Sequence, residues 1–234
     1  MNPVSSALAQ GQRALSEYQS KELLRAYDIP VTREILTEHV ADAIRAAGEI
    51  GYPVALKACA PELMHKSESG AVALNLKNEE DIREAHERIS AGLAPAKTAM
   101  LVQEMIAGQR ELVIGLTRDP QFGPCVMLGL GGILTEILQD TVFRAAPFDL
   151  IEARDMVREL RGKAILEAFR GQRPADLDTL LRALVAVGRI GLEQPAVTEL
   201  DINPLIIDPA GRIVAVDALV VLNPNPAAAG GQNT

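Results

Sequence analysis

The chain contains no tryptophan, and its 234 residues include only three tyrosines and four phenylalanines. Stacking surfaces for single-stranded nucleic acid are therefore scarce. Positive charge is also in short supply. Twenty-three Lys and Arg face 31 Asp and Glu, a net charge of −8. That balance disfavours nonspecific adhesion to nucleic acid or an anionic membrane, although a locally basic pocket could still take an anionic substrate. The two cysteines, Cys59 and Cys125, lie in apolar surroundings. Their spacing suits no metal cage, and a reduced, cytoplasmic compartment is the simplest reading. No stretch approaches the ~18 apolar residues of a bilayer span. Residues 1–12 lack the basic-then-apolar pattern of a secretory signal. What remains is 48% hydrophobic and 23% charged, an ordinary globular composition with material for one large domain or two small ones.

The stretch from Tyr52 to Leu76 carries the first chemistry. Pro53 to Leu56 is an apolar run of strand length, with Lys57 just past it. A turn follows through Pro61, Ser67-Glu68-Ser69 and Gly70. Val72, Leu74 and Leu76 then alternate as a second strand. His65 and Lys66 are adjacent in the loop between the two. A lysine at a strand end holds a phosphate as a point charge. A histidine on a turn serves as base, metal ligand or phosphate acceptor. The bland alternative is a solvated lysine pair beside a surface histidine.

Around this stretch the pattern is mixed helix and strand. Ser16 and Gln19 read as a capping box for a helix over 17–27. A strand is expected over 31–36 and a helix over 40–50. Asn78 caps a helix reaching Ser90, with Glu79, Glu80 and Asp81 at its positive end. Residues 100–106, Met-Leu-Val-Gln-Glu-Met-Ile, form an apolar strand holding one acid, broken at Gly108 and followed by a strand over 111–117. This suits a junction between lobes, where a backbone edge pairs with a flat heterocycle and Glu104 accepts from hydroxyls. An ordinary hairpin fits the same residues. Cys125 to Leu130 is a buried strand interrupted by Gly129, Gly131 and Gly132 and resumed over 133–138. Those glycines permit either a close ligand or a tight bend. Further elements are a strand over 141–148, a helix capped by Asp149, a helical turn over 163–170, and an amphipathic helix over 174–192 whose leucine stripe is core.

The last hairpin is expected to pair Val197–Ile207 with Arg212–Leu222 across the turn Asp208-Pro-Ala-Gly211. Glu199, Asp201 and Asn203 lie two apart and share one face. The turn puts Asp217 opposite Ile202 or Asn203. Carboxylates this close repel one another unless a cation neutralises them. Hard oxygen ligands suit Mg2+, which is usually held by one or two protein groups together with substrate phosphates. An exposed sheet edge with a solvated polar face is the alternative.

Lysine strand, glutamate junction and late acidic hairpin, in that order, resemble the ATP-grasp fold. The wording is similar to one branch, the nucleotide-binding beta subunit of ADP-forming acetyl-CoA synthetases, relatives of succinyl-CoA synthetase. The resemblance rests on Ser16-Glu17-Tyr18, Lys21 to Leu24, Ile29-Pro30-Val31, Met64-His65-Lys66-Ser67, Gln103-Glu104-Met105, Leu128 to Gly132 with Glu136, and Glu199 to Leu205. It spans 15–222 and implies an α/β (α+β) ATP-grasp domain of two mixed lobes with nucleotide between them. Lobe one would cover roughly 25–100, lobe two 101–222 with the N-terminal helix, and 1–14 and 223–234 would be flexible tails. The resemblance also implies roles. Lys57 would contact the phosphates of ATP or ADP, and Glu104 with the backbone of Met105 and Ile106 would hold ribose and adenine. Asn203 and Asp217 would bind Mg2+, Asp201 would sit beside the transferring phosphate, and His65 would relay it. The family places CoA and the primary phosphohistidine in an alpha subunit with CoA-binding and CoA-ligase domains. A hetero-oligomer, α2β2 for instance, is therefore implied. The glycine-rich loop that follows the lysine in succinyl-CoA synthetase is replaced here by the His65 loop, which favours the acetyl-CoA branch. A carboxylate–amine ligase and a non-catalytic nucleotide-sensing subunit of an acyltransferase are the competing readings.

Overall fold

The computed structural model describes residues 2–60, 71–93, 98–132, 140–168 and 170–224. The chain divides into two compact units. One comprises Met1–Leu15, Gln19–Val31 and Ala107–Thr234; the other comprises Ser16–Tyr18 and Thr32–Ile106. The division near residue 100 inferred from sequence thus falls after Ile106, and the residues up to Val31, apart from Ser16–Tyr18, belong with the larger unit.

In the smaller unit four antiparallel strands lie in the order β1 (Glu34–Thr37), β4 (Ala99–Glu104), β2 (Val54–Cys59), β3 (Val72–Leu76). Two helices, α3 (Val40–Ile50) and α4 (Glu79–Gly92), cover one face. Their buried positions, Ala43, Ala46, Ala47 and Ile50 on α3 and Ile82, Ala85 and Ile89 on α4, recur at helical spacing. As the sequence suggested, the Asn78 side chain accepts from the Asp81 N–H at 3.0 Å, a cap worth about 1 kcal/mol. Val54, Leu56 and Ala58 of β2 join Met100 and Val102 of β4 in this core. Strand alternation therefore turns Ala55, Lys57 and Cys59 to the other face. Lys57 lies within β2, not beyond it, because all six residues of that strand are buried and its ladder with β4 runs on to Cys59.

The larger unit holds a six-stranded antiparallel sheet, in the order β10 (Ala218–Leu222), β8 (Val197–Ile207), β5 (Arg110–Asp119), β6 (Gly123–Leu130), β7 (Thr141–Ala145), with β9 (Ile213–Ala215) also on β8. Helices α5 (Leu150–Glu159) and α6 (Leu177–Glu193) supply its core with Met156, Leu180, Leu184 and Val187 against Leu112, Ile114, Leu200 and Ile202. Buried ionised groups act as backbone ties. The Arg110 guanidinium donates to the carbonyls of Glu167 (3.2 Å), Arg173 (2.9 Å) and Asp208 (3.0 Å).

One expectation fails plainly. The sequence predicts a flexible tail over 1–14, yet α1 (Pro3–Ala9) is a helix with Val4 and Ala7 in the core. Asn2 caps it by accepting from the Val4 N–H at 2.9 Å. Leu15 then donates to the Val220 carbonyl at 2.9 Å, and Leu222 donates to Arg13 at 2.8 Å. The segment covers the edge of β10, a row of backbone groups that would otherwise stand unpaired. The other adjustments are small. The 141–148 strand stops at Ala145, the 163–170 turn is a short 3-10 helix over Lys163–Leu166, and α6 begins at Leu177 behind the cap Asp176. The return strand is broken at Val216 and Asp217, opposite Pro204, which has no N–H to give the ladder. The expected 133–138 strand and residues 225–234 lie outside the described residues.

Candidate functional site

The acidic hairpin is assembled by its turn. Asp208, buried at the end of β8, accepts the N–H groups of Ala210 and Arg212, each at 2.9 Å, and Arg212 Nε at 2.7 Å. Burial alone would raise its pKa, but these bonds outweigh it and hold the carboxyl below the usual carboxylate range. With the turn fixed, β9 pairs Ala215 with Leu205 and β10 pairs Ala218 with Ile202. Asp217 therefore falls opposite Asn203, whose N–H donates to the Asp217 carbonyl at 3.2 Å. The sequence left Ile202 and Asn203 open as partners; Asn203 is the one. Leu200 and Ile202 turn into the core, while Glu199, Asp201 and Asn203 share the face away from it.

Asp201, Asn203 and Asp217 thus converge. Burial raises the Asp201 pKa and the Asp217 charge raises it further, while a side-chain hydrogen bond with Asn203 opposes both. The carboxyl is held closer to its protonated form than an exposed one, and a neighbouring cation would reverse that. Asn203 and Asp217 together offer hard oxygen donors. Among the described residues no group of three or more His, Cys, Asp or Glu side chains could hold a metal alone. The pair therefore fits an ion that completes its shell with water and phosphate oxygens, as Mg2+ does. Beside Asp201 a hollow of about 210 Å3 includes Gly115, Met127, Phe143 and Leu219. Register places these five in one row across the sheet, an apolar strip leading to a carboxylate.

Glu111, which the sequence marks as the start of a strand, joins this face. Its neighbours Arg110 and Leu112 are buried, so alternation points Glu111 outward, a signal that was there to be read. The glycine cluster explains itself against it. Gly131 donates to the Glu111 carbonyl at 2.7 Å, and a Cβ on Gly131 would come within 2.8 Å of the Glu111 backbone. Gly132 has φ +61° and faces the Glu111 carboxylate. Two readings of these glycines were open, and the close approach found here is by the chain's own strand.

In the smaller unit Lys57 Nζ donates to Glu17 Oε1 at 2.7 Å, with side chains 6% and 1% exposed. Glu104 is gripped from outside the strand. Its two carboxylate oxygens accept from the Arg33 N–H (2.7 Å) and Nε (3.0 Å). Lys57 is opposite Leu101 and Glu104 is opposite Val54, so the two face opposite sides of the sheet. Met105 and Ile106 follow β4 as half-buried residues outside any strand. The hairpin alternative for 100–117 does not hold, because β4 pairs with β1 and β2 while β5 pairs with β6 and β8. His65, Lys66 and Glu136 lie outside the described residues.

Two antiparallel α+β units with this content match the model of the ATP-grasp domain, which covers residues 6–222. The beta subunit of ADP-forming acetate–CoA ligase I from Pyrococcus furiosus is 40% identical over 90% of this chain and 92% of its own length. In Archaeoglobus fulgidus the ADP-forming acetate–CoA ligase I is 41% identical over 86% of this chain, but the match is only 30% of that longer protein. Among solved structures, acetyl-coenzyme A synthetase 1 of Ca. Korarchaeum cryptofilum, in complex with coenzyme A and Ca-AMPCP, superposes with a TM-score of 0.88 at 39% identity, covering 94% of this chain and 98% of the other. Another structure of that enzyme holds Mg-AMPPCP with a phosphohistidine segment pointing towards the nucleotide-binding site (TM-score 0.81, 39% identity, 94% and 98% coverage). This chain belongs to the ATP-grasp family, in the branch of ADP-forming acetate–CoA ligase beta subunits.

Proposed function

We propose that the chain is the nucleotide-binding subunit of an ADP-forming acyl-CoA ligase, passing phosphate between a phosphohistidine and ADP or ATP with Mg2+. The observation that carries the reading is the convergence of Asp201, Asn203 and Asp217 on one sheet face, in a chain so similar to ligase beta subunits. Asn203 and Asp217 would hold the metal. Bound Mg2+ supplies charge neutralisation for the transferring phosphoryl group. Asp201, its carboxyl poised by burial, would sit beside that group. Lys57 would hold nucleotide phosphates, while Glu104 and the backbone of Met105 and Ile106 would receive the nucleoside. The strip of Met127, Phe143 and Leu219 would keep water from the phosphoryl group.

CoA and the acyl substrate would be handled by a partner with CoA-binding and CoA-ligase domains, in a hetero-oligomer such as α2β2. Relatives that contain this segment as about a third of a longer chain support that division of labour. Two free cysteines support a cytoplasmic setting. Among the described residues no helix is long and apolar enough to cross a membrane.

His65 is the relay in this reading. An imidazole nucleophile splits one phosphoryl transfer into two. The N–P bond forms as the partner's phosphohistidine gives up its phosphoryl group, and it breaks when an ADP oxygen attacks. His65→Asn keeps the size and a hydrogen bond but accepts no phosphate. With the partner present, acid-labile, base-stable label is expected on the wild-type chain and not on the variant, and acyl-CoA synthesis should stop. Full turnover by His65→Asn would falsify the relay.

A further inference from the structure

We propose that Glu17 is the positioning residue for Lys57, holding its ammonium where nucleotide phosphates meet it. This rests on the reading of Lys57 as the phosphate contact. In the sequence Glu17 stands in the Ser16-Glu17-Tyr18 motif as the first residue of a helix. The structure gives it another task. Its carboxylate leaves the first turn of α2 (Glu17–Ala26) to accept from Lys57 Nζ at 2.7 Å, and both side chains are all but sealed from water.

Three features make this more than a surface pairing. First, Lys57 sits in mid-strand on the sheet face turned from α3 and α4. Its neighbours on that face, Ala55, Leu101 and Gln103, are all buried. A charge brought into such a place needs a counter-charge to stay there. Second, the carboxylate stands on regular structure. It belongs to the opening turn of a helix, where backbone N–H groups favour negative charge. Third, the bond to Glu17 uses one of the ammonium's three donors. A lysine stem is long and flexible. Fixing it before ligand arrives removes freedom that phosphate binding would otherwise have to freeze. A carboxylate so near also tempers the lysine's charge, so the pair favours geometry over raw attraction.

The experiment measures affinities of Mg-ADP and of adenosine by calorimetry, on the full chain with any partner that co-purifies. Glu17→Ala is expected to weaken Mg-ADP about tenfold, the scale of a lost hydrogen bond to a charged group, with adenosine unchanged. Glu17→Gln, which keeps an acceptor at the same reach, should recover most of the loss. In a Lys57→Met background, Glu17→Ala should add nothing, because Glu17 acts only through the lysine. Equal losses for Mg-ADP and adenosine would show a merely structural role. Tighter Mg-ADP binding by Glu17→Ala would show a competitor for the lysine, and additive losses in the double variant an independent contact; each overturns the proposal. Should Glu17→Ala fail to fold, Glu17→Gln carries the same comparison, weakening Mg-ADP by a few-fold alone and adding nothing to Lys57→Met. Unchanged Mg-ADP binding by Lys57→Met would instead sink the reading of Lys57 as phosphate contact, a separate failure.

Discussion

Asp208 sets the register on which the proposed metal pair, Asn203 and Asp217, depends, and its removal is a quantitative test of that dependence. The carboxylate is buried and accepts two backbone N–H groups at 2.9 Å and Arg212 Nε at 2.7 Å. The Arg212 side chain is 75% exposed, so that ion pair contributes no more than about 1 kcal/mol. The two backbone bonds to a charged acceptor contribute about 1.5 kcal/mol each. Asp208→Ala should therefore cost about 2–4 kcal/mol and lower the melting temperature of the larger unit by about 5–15 °C. The pH dependence has a definite sign. The folded pKa lies below the ordinary carboxylate value. The stabilisation is thus fully present above the unfolded pKa of ~4 and is lost as pH falls through the folded value. The gap between wild type and variant in urea midpoint should be flat from about pH 5 to 8 and narrow below pH ~4. Mg-ADP affinity should fall as well, because a one-residue slip turns Asp217 to the opposite face. A variant that melts with the wild type, or a gap that persists undiminished in acid, would refute the assignment of register to this carboxylate.

Asp217→Asn should lower Mg-ADP affinity about 100-fold or more, given that even outer partners of metal ligands are worth 10–100-fold. The fold should survive, because the Asp217 backbone carbonyl still receives the Asn203 N–H. In the same variant Asp201 loses the like charge that helps raise its pKa, so its carboxyl should titrate lower by NMR; an unmoved titration would separate the two residues. Gly131→Ala places a Cβ 2.8 Å from Glu111 backbone and Cβ atoms and should cost about 1–3 kcal/mol by overpacking. Gly129→Ala meets the movable Thr141 methyl at 3.0 Å and should cost less; equal thermal shifts would count against this account of the glycines.

What was legible in the sequence follows from how far each signal reaches. Helix α3, with Val40 and Ile50 as its ends, and β8, with Val197 and Ile207 as its ends, were readable to the residue. Each is closed by local punctuation, Gly51 in one case and Asp208-Pro209 in the other. The convergence of Asp201, Asn203 and Asp217 was legible for the same reason, since one tight turn between two alternating strands fixes which residues meet. Helix α1 was not. It is seven residues long with Val4 and Ala7 as its buried positions, and these join a core built mostly from residues beyond Ile29, from Leu112 onwards. Periodicity in a short window carries no trace of such a partner.

The same limit explains the two carboxylates that sequence reasoning passed over. Glu17 and Lys57 are 40 positions apart, and Glu111 meets Gly131 and Gly132 from another strand. A lone acid at the head of a helix reads as a dipole partner, and a lone acid in a strand reads as its solvent face. For Glu17 burial separates the first reading from a working role, and burial belongs to tertiary structure. At 1% side-chain exposure, Glu17 has little surface left for water to neutralise it, so its charge must be matched from within the protein. The lysine that meets this need is the residue independently singled out for phosphate. An ion pair maintained for stability alone is readily replaced by apolar side chains of similar volume. One that also presents an ammonium to a ligand is not, because the ligand requires the charge. Replacing Glu17 and Lys57 together by leucine and methionine should therefore preserve the melting temperature to within a few degrees while abolishing the preference for Mg-ADP over adenosine. A double variant that keeps this preference would show that the pair serves the fold alone.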